Sequence, residues 1–256
     1  MDESSKTRAT NPSLQDLLTI YGRKPVLEAL QDRDIEIFRL HLARDIKRAG
    51  IVHDIVALAE ERQIEIHRHS RLELSRISTN TRQDQGVAVD IRTPEYRALA
   101  ELEVLAPRME FLALDSVTNP QNVGMIVRTV AASPLAGLIL PKRGCARLDG
   151  LVIKASAGTL LKSRIYHCED IASGLDHLVE QGFEIIGLSG AGDTPVSDVT
   201  GPGRRVFILG NESTGLSTDV ESRCHRMVHI PIAGQVESLN VSAAAAIIAF
   251  RSLFSR

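Results

Sequence analysis

Short amphipathic segments alternate along the chain from Leu18 to Ile91. YGRKPVLEALQ places Val26, Leu27 and Leu30 on one side at helical spacing. EIFRLHLA alternates like a half-buried strand, IVHDIVALAEER reads as a second helix and QIEIH as a short strand. A helix over RLELSRI and a strand over GVAVDI complete the block. This pattern predicts a small α/β layered domain over residues 18–92, after a polar, disordered tail at 1–17. Residues 93–108 hold Pro94 and Pro107, show no clear strand pattern and read as a linker. From Met109 the pattern changes. FLALD, GLILP, EIIGLS, VFILGN and MVHIPI are continuous apolar runs, as expected of strands buried on both faces of a parallel sheet. Helices are predicted over 122–133, 148–158, 170–181, 216–224 and 238–254, so a second α/β domain spans 109–256.

Composition narrows the function classes. The 256 residues carry a formal net charge of −2, which argues against a broad polyanion-binding surface. Residues 18–100 hold near-equal numbers of acidic and basic side chains and four histidines. Cys145, Cys168 and Cys224 have no C-x-x-C spacing and suit a reducing, cytoplasmic setting. No apolar run approaches the roughly 20 residues of a membrane span, and the first residues resemble neither a secretory nor a transit signal.

In open parallel sheets ligands collect at the carboxyl ends of the strands. Here those ends read DSVTNPQN, LSGAG, LGNESTG and IPIAGQ, rich in glycine, asparagine and small hydroxyls. GAG lacks the third glycine of a dinucleotide fingerprint and is followed by Pro195. GNESTG has the outer spacing of a phosphate loop, but Leu216 stands where its lysine would be. His67 and His69 lack partners suited to a metal and read as solvent-facing; no metal is expected.

Between Asp115 and Lys142 the only charged side chain is Arg128, in a helix that otherwise reads as buried. Pro120 makes a turn before it, Asn122 can cap a helix beginning at Val123, and Gly124 admits a ligand or a second backbone. A charge in apolar surroundings needs a partner. For Arg128 that is an ion pair with Asp115 or Glu212, or an anionic ligand. Glu212 follows a strand, and Ser238 and Asn240 open the last helix as potential caps.

Taken in order, N-P-Q-N-V-G-x-I-x-R, L-G-N-E-x-x-G-L and I-P-I-x-G-x-x-x-S-L-N-V-S resemble the three motifs of the SpoU (TrmH) branch of the SPOUT RNA methyltransferases, over residues 111–254. KASAG, 154–158, looks like that family's middle helix. The first block, from YGRKPVLEAL to QGVAV, is similar to the L30e-like substrate-binding domain of the family's ribosomal RNA members. The sequence departs from the pattern at AASPLAGLIL, where an aromatic-glycine pair is usual, and at Ser213, where glycine is common.

The resemblance implies a C-terminal parallel α/β sheet whose last segment threads a loop into a deep trefoil knot, beside a small L30e-like N-terminal domain. It implies S-adenosyl-L-methionine held near Leu188, Leu209, Gly210, Ile230, Ile232 and Leu239, largely by main chain. Asn122, Arg128, Glu212, Ser238 and Asn240 would form the catalytic site, Arg128 nearest the chemistry, and Arg128 could pair with Glu212 when RNA is absent. Members are homodimers. Two copies of Lys142, Arg143, Arg147, Lys154 and Lys162 could then form a basic patch that net charge conceals, and Arg23 and Lys24 could touch RNA from the first domain.

The expected reaction is methyl transfer to an RNA ribose 2′-hydroxyl, with a guanosine of large-subunit ribosomal RNA as target. Transfer RNA and an antibiotic-site ribosomal RNA are the alternatives within the enzyme class. A non-catalytic RNA-binding ribosome-assembly factor is the alternative from another class.

Overall fold

A computed structural model describes residues 17–79, 84–94, 96–103, 106–234 and 236–254. The tail expected over 1–17 lies outside them except for Leu17. The chain divides after Pro94 into two compact units, each described by itself.

In the first unit β1 (Leu17–Tyr21) precedes α1 (Arg23–Gln31), β2 (Ile37–Ala43), α2 (Ile51–Glu61), β3 (Glu65–His69), α3 (Arg71–Ser78) and β4 (Val87–Arg92). The sheet order is β1-β4-β2-β3; only β2 and β3 run parallel. Helices α1 and α2 bury Val26, Ala29, Leu30, Val52, Ile55, Val56 and Ala59, while Leu74 of α3 packs with Tyr21, Ala43 and Ala88. A capping box starts α3: Ser70 Oγ accepts from Glu73 N at 3.3 Å, and the Glu73 carboxylate accepts from Ser70 N at 2.7 Å. Strand β1 is absent from the pattern reading because its apolar run abuts the helix signal YGRKPVLEALQ.

The histidines expected to face solvent form a cluster instead. His41 is buried, its Nδ1 2.9 Å from His69 Nε2 and its Nε2 3.0 Å from Asp90 Oδ2. His67 stacks on His69 with ring centroids 6.2 Å apart. Register explains this, since His41 faces His67 and Ala43 faces His69 across β2 and β3. Among the described residues no group of three or more His, Cys, Asp or Glu is disposed to hold a metal.

In the second unit β5 (Arg97–Ala98) is followed by β6 (Met109–Leu114), α4 (Pro120–Ala131), β7 (Gly137–Pro141), α5 (Gly150–Ala155), β8 (Ile165–Cys168) and α6 (Ile171–Glu180). Then come β9 (Glu184–Leu188), β10 (Thr194–Pro195), β11 (Arg204–Leu209), α7 (Thr218–Glu221), β12 (Arg226–His229) and α8 (Val241–Phe254). Eight strands lie in the order β10-β12-β9-β11-β6-β7-β8-β5, and every pair is parallel. The stretch read as a linker thus supplies an edge strand, β5 on β8. Helices α5, α7 and α8 are shorter than the ranges 148–158, 216–224 and 238–254. No helix is long and apolar enough to cross a membrane among the described residues.

A buried carboxylate locks α8 to the amino end of the sheet. Glu110 Oε1 accepts from Arg205 Nη1 at 3.1 Å and from Arg251 Nη2 at 2.6 Å, all three residues buried. The Arg251 guanidinium also lies 3.9 Å from the centroid of the Phe207 ring. Arg205 extends the network to Glu184, which in turn pairs with Arg226 at 2.9 Å. Removing one partner of a buried pair leaves an uncompensated charge, at a cost of about 3–5 kcal/mol. Glu110→Ala is therefore expected to lower unfolding stability by about 3 kcal/mol or more, read by urea denaturation.

In the first unit, burial holds the His69 pKa below its ordinary 6.5, helped by His41, His67 and Arg44 and opposed by Glu73. A depressed histidine pKa means that the unfolded chain binds more protons, so stability falls as pH drops through 6.5 toward the folded value. Melting temperature measured from pH 7.5 to 5 should fall less steeply in His69→Gln than in the wild type.

Candidate functional site

The carboxyl ends of β9, β11 and β12 line a cavity of about 290 Å³, together with Glu237, Ser238, Leu239 and the start of α8. Its lining includes all six residues expected to hold a cofactor: Leu188, Leu209, Gly210, Ile230, Ile232 and Leu239. The walls are mostly apolar side chains and main chain, and three carboxylates, Glu212, Glu221 and Glu237, stand at the cavity. This donor set fits a cationic ligand with a flat apolar part. Thr214, Leu216, Met227 and Glu237 also line it and were missed in the sequence, although Thr214 and Leu216 fall inside the second motif.

Gly210 packs directly against the turn that follows it. A Cβ there would lie 2.3 Å from the Gly215 carbonyl and 2.4 Å from Leu216 N. The turn between them is drawn together by paired backbone hydrogen bonds, Asn211 N to Gly215 O and Gly215 N to Asn211 O, both 2.9 Å. Asn211 Oδ1 accepts from Ser213 N at 2.9 Å. Buried Asp115 ties the turn to β6, its Oδ2 accepting from Ser217 N at 2.6 Å.

Helix α4 does not begin as expected. Asn119 is the cap, its Oδ1 accepting from Gln121 N at 2.9 Å, and Pro120 occupies the first helical position. Asn122 is thereby released from capping, and its buried amide turns toward the site. Its Nδ2 donates to Glu212 Oε1, and its Oδ1 accepts from Asn240 Nδ2 at 3.2 Å. Asn240 in turn caps α8 through Ser242 N at 2.8 Å. One amide thus joins the three motif segments. Gly124 serves helix packing: a Cβ there would meet Ala155 Cβ of α5 at 2.3 Å.

Arg128 lies on the exposed side of α4, six residues or about 9 Å beyond Asn122 along the axis. The helix buries Val123, Ile126, Val127 and Val130 and leaves Arg128 outside that stripe, so the residue is not the buried arginine that the pattern suggested. Neither proposed acid pairs with it, because Glu212 takes Asn122, while Asp115 takes Ser217 and the Ser116 hydroxyl. Among the described residues Arg128 has no ion-pair partner, and its guanidinium is open to a ligand. Ser238 is exposed at the cavity rim.

Of the residues expected to touch RNA, Lys142 and Arg143 are exposed just past β7, and Lys142 pairs with Glu169. Lys154 is half-buried at the end of α5. Arg23 and Lys24 are exposed at the start of α1 in the other unit, with the Arg23 Nε 3.4 Å from Gln85 O. Burial raises all three thiols, Cys145 and Cys224 to about 11 and Cys168 to about 12, so none is a thiolate nucleophile near neutral pH.

If the 210–217 turn shapes the ligand's seat, Gly210→Ala must displace that turn, because its Cβ would meet the Gly215 carbonyl and Leu216 N. S-adenosylmethionine affinity measured by isothermal titration should fall at least tenfold, with the far-ultraviolet dichroism retained.

Comparison with known proteins places this geometry. The SpoU rRNA methylase family matches residues 109–250, and the RNA 2′-O ribose methyltransferase substrate-binding domain matches residues 19–97. An uncharacterized tRNA/rRNA methyltransferase of Mycolicibacterium vanbaalenii is 32% identical over 237 residues, covering 91% of this chain and 75% of that protein. The AdoMet-bound rRNA methyltransferase from Sinorhizobium meliloti superposes with a TM-score of 0.74 at 22% identity, over 93% of this chain and 87% of that one. The SpoU methyltransferase AviRb from Streptomyces viridochromogenes, in complex with AdoMet, gives 0.73 at 21% identity, over 93% and 90%. With family models matching both parts of the chain, and Glu212, Ser238 and Leu239 of its motifs lining one cavity, the chain belongs to the SpoU rRNA methylase family of RNA methyltransferases.

Proposed function

We propose that the protein transfers a methyl group from S-adenosylmethionine to a ribose 2′-hydroxyl of RNA, with a guanosine of large-subunit ribosomal RNA as the target. The observation that carries this reading is the Asn240–Asn122–Glu212 chain at the mouth of an acid-lined cavity, with an open arginine on the same helix. The bound cofactor supplies an electrophilic methyl on a sulfonium. The protein's task is then to align the hydroxyl and to favour its developing charge.

The Leu188, Leu209, Ile230, Ile232 and Leu239 side chains give the cavity its apolar lining, and Gly210, lacking a Cβ, lets the turn at Gly215 pack close against the end of β11. Glu212 and Glu237 complement its positive charge. Asn122, held from both sides, and Ser238 on the rim orient the ribose. Arg128 brings a planar, delocalised cation with five N–H donors to the substrate. Its planar fork grips the adjacent phosphate and stabilises the forming alkoxide while the proton leaves to water.

The trefoil knot, the homodimer and a cytoplasmic location belong to the same reading. A second copy would cover the exposed apolar side chains Ile247, Leu253 and Phe254 of α8. The basic residues Lys142, Arg143 and Lys154 would then track the RNA backbone, with Arg23 and Lys24 of the substrate-binding domain selecting the site. An RNA-binding assembly factor without turnover has no need of an acid-lined cofactor cavity, which favours the enzyme.

Transfer of labelled methyl to unmodified ribosomal and transfer RNA, assayed side by side, tests the proposal. Alkali-resistant label in one ribosomal nucleotide is expected; label in transfer RNA alone would overturn the target. Arg128→Lys keeps the charge and loses the fork, so kcat is expected to drop at least 100-fold with cofactor affinity unchanged. A lysine variant with near wild-type turnover would refute the role given to Arg128.

A further inference from the structure

A second cavity, of about 520 Å³, opens on the same carboxyl edge of the large sheet, beside β8. The edge strand β5, the end of β8 and the first turns of α6 enclose it. Tyr96 and His167 stack in its wall, ring centroids 4.8 Å apart and 29° from parallel. Ala98, Leu99, Cys168 and Gly174 make the remainder apolar. Gly174 lets α6 pack closely on this wall, since a Cβ there would fall 2.9 Å from Cys168 Sγ and 3.1 Å from Leu99 Cδ2. Polar groups sit at the rim: Lys142, Glu169, Ser173 and His177.

Two features mark this as more than a packing gap. Tyr96 Oη is buried and has no hydrogen-bond partner among the described residues, a state that structures rarely leave unexplained. Burial also raises the phenol pKa, so the hydroxyl is a neutral donor in search of an acceptor. His167 is held below its usual pKa by burial and by Lys142, which leaves it a neutral ring with one donor and one acceptor nitrogen at pH 7. Flat apolar rings, neutral hydrogen-bonding groups and one lysine at the lip match the chemistry of a nucleotide. The rings suit the base, and the ammonium suits its phosphate. Lys142 is spent only on an exposed pair with Glu169, which a phosphate can displace. Glu169, once released, can accept from an exocyclic amino group of the base.

Position agrees. Strands β11 and β8 are three places apart in the sheet, about 14 Å at the usual strand spacing, a few nucleotides of extended RNA. Lys142 and Arg143 lie past β7, between the two cavities.

We propose that this cavity is a second RNA subsite, which takes an unpaired base of the substrate strand, flanking the methylated nucleotide, against the Tyr96–His167 pair with its phosphate on Lys142. The inference rests on the reading of the protein as an RNA methyltransferase. It makes Tyr96 and His167 positioning residues, remote from the reacting atoms.

The test compares wild type, Tyr96→Phe and His167→Ala in methyl transfer to unmodified ribosomal RNA, with S-adenosylmethionine affinity measured in parallel. His167→Ala is expected to raise the KM for RNA about tenfold. Tyr96→Phe, which keeps the ring and the fold and deletes only the hydroxyl, should raise it about threefold. Cofactor affinity and kcat at saturating RNA should stay at wild-type values. An RNA KM within twofold of wild type in both variants would overturn the subsite, as would a rise accompanied by lost cofactor binding, which marks a purely structural role. Wild-type protein that neither binds nor methylates RNA would remove the reading on which the subsite rests, and that outcome is visible without any variant.

Discussion

One buried amide organises the site. Asn122 donates to Glu212, 90 residues away, and accepts from Asn240, 118 residues away. An amide can do both at once, whereas a carboxylate accepts only and an ammonium donates only. The three segments that meet there leave different elements: the start of α4, the turn after β11 and the entry to α8. Each is fixed from behind. Asn119 and Pro120 set the start of α4, Asp115 holds the 211–217 turn, and the Glu110 pair with Arg251 anchors the far end of α8. The amino edge of the sheet therefore carries buried charge for position, and the carboxyl edge carries amides and glycines for contact.

Much of this was legible in the residues. Continuous apolar runs located β6, β7, β9, β11 and β12 because burial on both faces removes the alternation that polar positions would impose. The motif residues Glu212, Ser238 and the six expected at the cofactor do line one cavity, and Asn122 and Asn240 join Glu212 at its mouth. Strands β5 and β10 have two residues each, too few for a pattern, and β8 follows the polar run KSR. Their identity comes from pairing with distant strands, which no local window contains. Asn122 was misread as a cap since Asn119 and Asn122 are equivalent in propensity; proline at the first helical position decides for Asn119.

Arg128 is the more instructive misreading. A stretch with one charge among apolar residues looks buried throughout, yet a helix can turn a single position outward. On α4 the buried stripe runs through Val123, Ile126, Val127 and Val130, and Arg128 falls outside it. His67 and His69 went wrong in the opposite direction: alternation placed them on one face, but nothing local revealed that His41 would arrive across β2 and close a cluster over Asp90.

On the proposed function the cofactor sits in the cavity between Gly210 and Leu239, with the Asn122–Glu212 bond intact. A crystal structure with S-adenosylhomocysteine bound tests this most directly. The predicted result is the ligand lined by main chain at Gly210 and Ile230, with Arg128 free beside it to meet RNA. A ligand seated in the Tyr96–His167 cavity, or one that requires Glu212 to leave Asn122, would contradict it.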